Sequence, residues 1–192
     1  MCKNKIPSLI AQLDTQSDIQ AEKIILKIAK IGKSTIPYLI EASKNEEYPR
    51  IMKWSLLALG TIGDKRGLPV LVEALNHERM TVKLQAMNGL ARIKHKLSAK
   101  KIALLLKDKS GGVRGRALKT LIILNNKSVM SSILPMLNDP MWYIRQEACR
   151  ACEHFQIQSA VPNLVKLVKS DEKKAVRTAA QNALNNIKCH DK

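Results

Sequence analysis

A short phrase, apolar-Pro-x-Leu-aliphatic, recurs along the chain as Ile6-Pro7-Ser8-Leu9-Ile10, Ile36-Pro37-Tyr38-Leu39-Ile40, Leu68-Pro69-Val70-Leu71-Val72 and Val161-Pro162-Asn163-Leu164-Val165. Lys100 with Ile102, and Ser131 with Ile133, hold the same place without the proline. From Pro7 through Pro37, Pro69, Lys100 and Ser131 to Pro162 the steps are 30, 32, 31, 31 and 31 residues. A unit of that length is one supersecondary hairpin, too small to bury its own apolar face, so it must stack on copies of itself. Residues 1–192 are therefore read as a single repeat domain with a continuous seam in place of a domain boundary.

Each unit divides into two helices. The first opens with the phrase above, and its proline sits in the opening turn, where a missing N–H has no helical partner to lose. The second starts from an apolar anchor at Ile19, Ile51, Val82, Val113, Ile144 and Val176. Offset four from the anchor is small (Ser55, Ala86, Ala117, Ala148, Ala180) and offset eight is Leu59, Leu90, Leu121, Cys152 and Leu184. Offset eleven is Ile62, Ile93, Leu124, Phe155 and Ile187. These offsets share one helical stripe, and the small residue lets a neighbouring helix come close. Ile31-Gly32 matches Ile62-Gly63 at a step of 31, which puts the first unit's second helix one residue out of register with Ile19. Gly32 and Gly63 follow the last core residue, as helix-ending glycines do. Helix pairs are expected at 3–32, 34–63, 66–95, 97–126, 128–157 and 159–188, with Pro135 kinking or shortening the first helix of the fifth.

The phrases Val113-Arg114-Gly115-Arg116-Ala117 and Val176-Arg177-Thr178-Ala179-Ala180, with Ile144-Arg145-Gln146-Glu147-Ala148 close to them, resemble the second helix of HEAT repeats. The short period and the Leu-Pro-x-Leu opening are similar to the HEAT-like repeats first described in phycobilisome lyases. The resemblance covers essentially the whole chain. It implies an all-α right-handed solenoid of about six helix pairs, with the end units partly exposing their outer faces. For function it is broad, because such repeats serve as scaffolds, lyase subunits, nucleic-acid binders and metal-dependent hydroxylases. It also gives a role to the pairs Asp108 with Arg114, Asp139 with Arg145 and Asp171 with Arg177. They resemble a ladder in which the guanidinium bridges to a neighbouring unit's loop. His77 with Lys83 holds the same slot more weakly.

Charge points to a partner. Lys and Arg number 33 against 16 Asp and Glu, a formal net charge of +17. Such an excess attracts polyanions and repels basic proteins; the alternative is that Lys only fills solvated helix positions. On a solenoid's hollow side, outward offsets of the second helices place Lys53, Trp54, Arg92, Arg116, Lys119 and Arg150 in a basic band, with Asn88 and His154 beside them. The expected ligand of that band is an acidic protein or a nucleic acid. The alternatives are an enzyme subunit of the lyase type and a HEAT-like DNA-repair protein, although no Asp stands on the inward face beside Trp54 or Arg116 to carry glycosylase chemistry.

Other chemistries find no carrier. Cys149-Arg150-Ala151-Cys152 has Cys-x-x-Cys spacing, near His154 and with Cys189-His190 further on, but Cys152 occupies a core Leu position inside a helix. These thiols, with Cys2, do not fall at a repeated position and are expected to be reduced. His77-Glu78 is a single His-Glu pair in a loop, short of the repeated pairs an iron site needs. No nucleophile has a base and an orienting acid, and Gly111-Gly112 lacks a following Gly-Lys-Ser. Trp142-Tyr143, just ahead of Ile144, either fill the space between units or stack on a ligand. The reading is a cytoplasmic monomer without catalytic residues, cofactor, metal or membrane span, having no apolar run of about 18 residues and no secretory leader.

Overall fold

The computed structural model describes residues 5–187, and every regular element in that range is helical. The chain forms two compact units, Met1–His95 and Lys96–Lys192. The first contains α1 (Lys5–Ala11), α2 (Asp18–Ile31), α3 (Ile36–Ala42), α4 (Pro49–Ile62), α5 (Leu68–Glu73) and α6 (Met80–Ile93). The second contains α7 (Ala99–Leu104), α8 (Gly111–Leu124), α9 (Met130–Ile133), α10 (Trp142–Phe155), α11 (Val161–Ser170) and α12 (Lys174–Asn186). In each unit the even-numbered helices form one layer, α2 on α4 on α6 and α8 on α10 on α12. The shorter odd-numbered helices form the other layer, each packed on the helix that follows it. This is the two-layer helix-pair stack of an α-solenoid.

Repetition reaches the level of single residues. The second helices begin at residues 18, 49, 80, 111, 142 and 174. Their small position is closed completely at Ser55, Ala86, Ala117, Ala148 and Ala180, and Leu59, Leu90, Leu121 and Cys152 one turn on are equally enclosed. The anchors Val82, Val113, Ile144 and Val176 are buried, and Ile51 is half-buried. Ile19 is the exception: it is 70% exposed, and α2 instead buries Ala21, Ile24, Ile25 and Ile28. The register of α2 follows from its end at Ile31-Gly32; counting back eleven residues reaches Gln20, so Ile24 and Ile28 take the core offsets. Ile19 and Leu26 thus stand on an open face of the first pair.

The first helices are brief because proline and 3₁₀ turns bound them. Pro37, Pro69 and Pro162 occupy opening positions. The α9 helix lasts only four residues before Pro135 converts the chain to a 3₁₀ segment over Leu134–Asn138, since proline supplies no N–H for an α-helical bond. Each loop then turns on one acceptor side chain two residues ahead of a backbone N–H. Glu47 N donates to Asn45 Oδ1 at 3.0 Å, Ser110 N to Asp108 Oδ1 at 2.8 Å, Met141 N to Asp139 Oδ1 at 2.9 Å and Lys173 N to Asp171 Oδ1 at 2.9 Å. His77 fills that slot with a ring nitrogen, Nδ1 accepting from Arg79 N at 3.0 Å.

A left-handed residue follows each of the first five second helices. Gly32 and Gly63 hold φ at 81° and 74°, while Lys94, Asn125 and Gln156 hold 55°, 46° and 56°. Side chains cost energy there and glycine does not. We expect Lys94→Gly, at an exposed position, to raise unfolding stability by about 0.5–1 kcal/mol. Urea unfolding measures this, and an unchanged or lower midpoint would contradict the account.

Candidate functional site

The polar features of the second unit converge on one ion-pair chain through its loops. Arg114 on α8 donates from Nε and Nη2 to the two carboxylate oxygens of Asp139, at 2.7 and 2.9 Å, and from Nη1 to the carbonyl of Asp108 at 2.9 Å. Arg145 on α10 repeats this one unit later, with Asp171 at 2.7 and 3.1 Å and the carbonyl of Asp139 at 2.9 Å. Arg177 donates to the carbonyl of Asp171 at 2.7 Å. Residues six apart therefore meet through the backbone carbonyl, and the carboxylate belongs to the arginine of the preceding repeat. The fork geometry explains this: one edge of the guanidinium is used within its own loop, and the Nε edge faces the next. The hydrogen bonds from Arg145 and the backbone N–H of Lys173 hold the Asp171 carboxyl below its ordinary range, and Asp139 and Asp171 raise the two arginines further. With their side chains 3% exposed, the carboxylates of Asp139 and Asp171 are taken up by these bonds and closed to a ligand.

The six residues expected in a basic band fare differently. In the first unit Trp54 is buried, 3% exposed, and its Nε1 donates to the carbonyl of Thr15 at 3.4 Å. It lies off the open face, so it offers no stacking surface there. Lys53 lies with Nζ 4.1 Å from the centre of that indole, and Arg92 donates to Thr61 Oγ1 at 3.0 Å. In the second unit Lys119 and Arg150 share one carboxylate: Glu147, largely buried on α10, accepts from Arg150 at 2.6 Å and faces Lys119 at 3.8 Å. Arg116 is exposed and makes no hydrogen bond or ion pair among the described residues.

A groove of about 450 Å³ runs between α10 and α12, lined by Gln146, Arg150, Glu153, Lys174, Thr178 and Asn182 among others. Sequence reasoning missed Glu147, Lys174 and this groove. The signal for Glu147 was present in its spacing to Arg150 three residues on, one helical turn away. Along α12 the outward residues become Thr178, Gln181, Asn182 and Asn185, so the face turns from cationic to amide-bearing. Exposed lysines also stand off this face, at Lys100 and Lys101 on α7 and Lys166 and Lys169 on α11. The net charge is therefore not gathered on the second helices alone; Lys also occupies solvated positions elsewhere.

Cys149 and Cys152 are wholly enclosed, and burial pushes both thiols up to about 12. They pack as small core residues, and a thiolate, the reactive form, is not accessible at neutral pH. Cys2, Cys189 and His190 lie outside the described residues. Among the described residues no three His, Cys, Asp or Glu side chains gather as a metal site, and no helix is long and apolar enough to cross a membrane. Trp142 and Tyr143 are 41% and 37% exposed, their rings edge to face at 6.0 Å, and the Tyr143 hydroxyl donates to Met141 Sδ at 2.8 Å.

Known structures share this architecture. YibA from E. coli superposes with a TM-score of 0.78 at 20% identity, covering 93% of this chain and 69% of that one. The complex of CpcE and CpcF of phycocyanin lyase from Nostoc sp. PCC7120 gives 0.61 at 21% identity, covering 95% and 76%. A designed armadillo repeat protein in complex with the peptide (KR)4 gives 0.61 at 20% identity, covering 96% and 100%. No curated protein matches the chain in sequence. The family model for HEAT repeats matches residues 6–83 and 130–192, well over half the chain. With the paired helices, their 31-residue step and the arginine–aspartate chain, these matches place the protein in the HEAT repeat family.

Proposed function

We propose that this HEAT repeat protein is a non-catalytic binding scaffold of the cytoplasm whose second-helix face takes an acidic macromolecule. The observation that carries this reading is the groove between α10 and α12, where Arg150 and Lys174 border a lining that includes the amides of Gln146 and Asn182. Amides satisfy both the N–H and the C=O of an extended backbone, and the cations suit acidic side chains on it. Unpaired Arg116 adds a further cation on the neighbouring α8. An acidic protein segment fits this mixture better than a phosphate backbone does, because the amide oxygens of Gln146 and Asn182 can accept from peptide N–H groups, whereas a phosphodiester carries no donor for them. Nucleic acid is a second reading, favoured by the exposed Trp142 and Tyr143 rings and the charge of +17. For a lyase-type subunit the buried thiols of Cys149 and Cys152 offer no accessible nucleophile, which leaves Glu153 as the acid in the groove.

Charge reversal tests the proposal. Arg116→Glu with Lys174→Glu changes two exposed side chains and should weaken binding of a labelled glutamate-rich peptide by about tenfold or more, each reversed charge costing on the order of 1 kcal/mol. Anisotropy titrations at rising salt should show a falling affinity. Binding that ignores both salt and the reversals would remove this face as the site. Tighter, salt-steep binding of an oligonucleotide would select the second reading.

A further inference from the structure

We propose a second site, in the first unit and on the side of its first helices, that accepts a lysine side chain of a partner segment. A cavity of about 300 Å³ opens among α1, α3 and the start of α4. Pro7, Ile10 and Ile51 give it an apolar floor, and Tyr38 and Tyr48 line it from the first turn of α3 and from the following loop. Both tyrosines are exposed, at 39% and 44%. Glu41, one turn along α3 from Tyr38, is the charged side chain in the lining, and its carboxylate makes no hydrogen bond or ion pair among the described residues.

Each component matches one part of a lysine. An apolar floor takes the methylene stem, which is itself hydrophobic. Aromatic faces attract the ammonium through their quadrupole, more strongly as water is excluded. The carboxylate supplies the opposite charge. This molecule already uses the same chemistry internally, since the Lys53 ammonium sits 4.1 Å from the centre of the Trp54 ring. An acidic ligand is disfavoured at this place by Glu41, and a neutral aliphatic side chain would leave that carboxylate partly desolvated and unpaired. The net charge of +17 repels strongly basic partners, so the ligand is an isolated lysine flanked by neutral or acidic residues.

The probe is acetyl-Gly-Gly-Lys-Gly-Gly amide, compared with the same peptide carrying norleucine, added to the full chain and followed by proton NMR. We expect the lysine ε-methylene resonance to move upfield under the tyrosine rings and the norleucine peptide to bind at least fivefold more weakly. Glu41→Gln should weaken the lysine peptide about fivefold, and Tyr38→Leu with Tyr48→Leu should abolish the upfield shift. Equal binding of the two peptides, indifference to Glu41→Gln, or no binding of the lysine peptide overturns the proposal. These readouts do not involve Arg116 or Lys174, so failure here is distinct from failure of the acidic-ligand reading.

Discussion

Replacing Gly60 by alanine destabilises the first unit by at least about 2–3 kcal/mol, the scale of core overpacking, although the same change in an ordinary helix would stabilise it. The α4 and α6 backbones meet where Gly60 faces Gly89. A Cβ on Gly60 would fall against Gly89 Cα and lie 2.8 Å from the Gly89 carbonyl oxygen and 2.9 Å from its carbon. All three obstacles are main chain, so relief requires the helices to part along their whole contact. Helix propensity works the other way, favouring alanine by about 1 kcal/mol; a measured loss therefore isolates the contact. At Gly89 the added atom meets first the end of Leu71, 2.7 Å from Cδ2, and then the Leu56 carbonyl at 3.1 Å. A leucine end can rotate away, so Gly89→Ala should cost less than Gly60→Ala. Calorimetry of the two variants gives the order, and a Gly60→Ala protein as stable as the parent would show that the helices do not approach so closely.

Most of the fold was readable because every unit solves the same packing problem. A buried small residue followed one turn later by a buried leucine marks α4, α6 and α8, with Cys152 in the leucine's place in α10, and Pro135 announced the break in α9. Periodicity failed at the first pair, where Ile19 matched the anchor pattern but only the helix end at Gly32 fixed the register. It failed again at Trp54. Offset three is occupied elsewhere by Gln85, Arg116, Glu147 and Ala179, so position alone gives no fixed environment. The indole N–H reaches the Thr15 carbonyl, and the Lys53 ammonium lies over its ring. The site was less legible still. Charge counts cannot separate a cation paired with Glu147 of the next repeat, as Lys119 is, from one left open, as Arg116 is. That distinction depends on which side chain stands one repeat away, at a distance fixed only by the stacking of helices.

The same dependence on the neighbouring repeat makes Asp139 the most consequential polar residue. Its carboxylate accepts two N–H bonds from Arg114 and one from the backbone of Met141, while its carbonyl accepts from Arg145, which in turn grips Asp171. Three loops are thus joined through one residue, its carboxylate on one side and its carbonyl on the other. Asp139→Ala strands the Arg114 guanidinium, whose side chain is 11% exposed, with only backbone carbonyls for partners. Breaking a buried pair from one side costs about 3–5 kcal/mol, whereas removing both charges costs much less. Asp139→Ala should therefore lose that amount, and Arg114→Met combined with Asp139→Leu should lose less than Asp139→Ala alone. Acid titration provides an independent check at Asp171. Because hydrogen bonds from Arg145 lower its folded pKa beneath the unfolded value, its contribution is complete above the unfolded value of 3.8 and disappears as pH falls through the folded one. Asp171→Asn should flatten that acid limb of the stability curve. If Asp139→Ala unfolds at the parent's denaturant concentration, or the double variant adds the full cost of both single changes, the arginine–aspartate chain is a surface decoration, and the stack is held by its aliphatic seams alone.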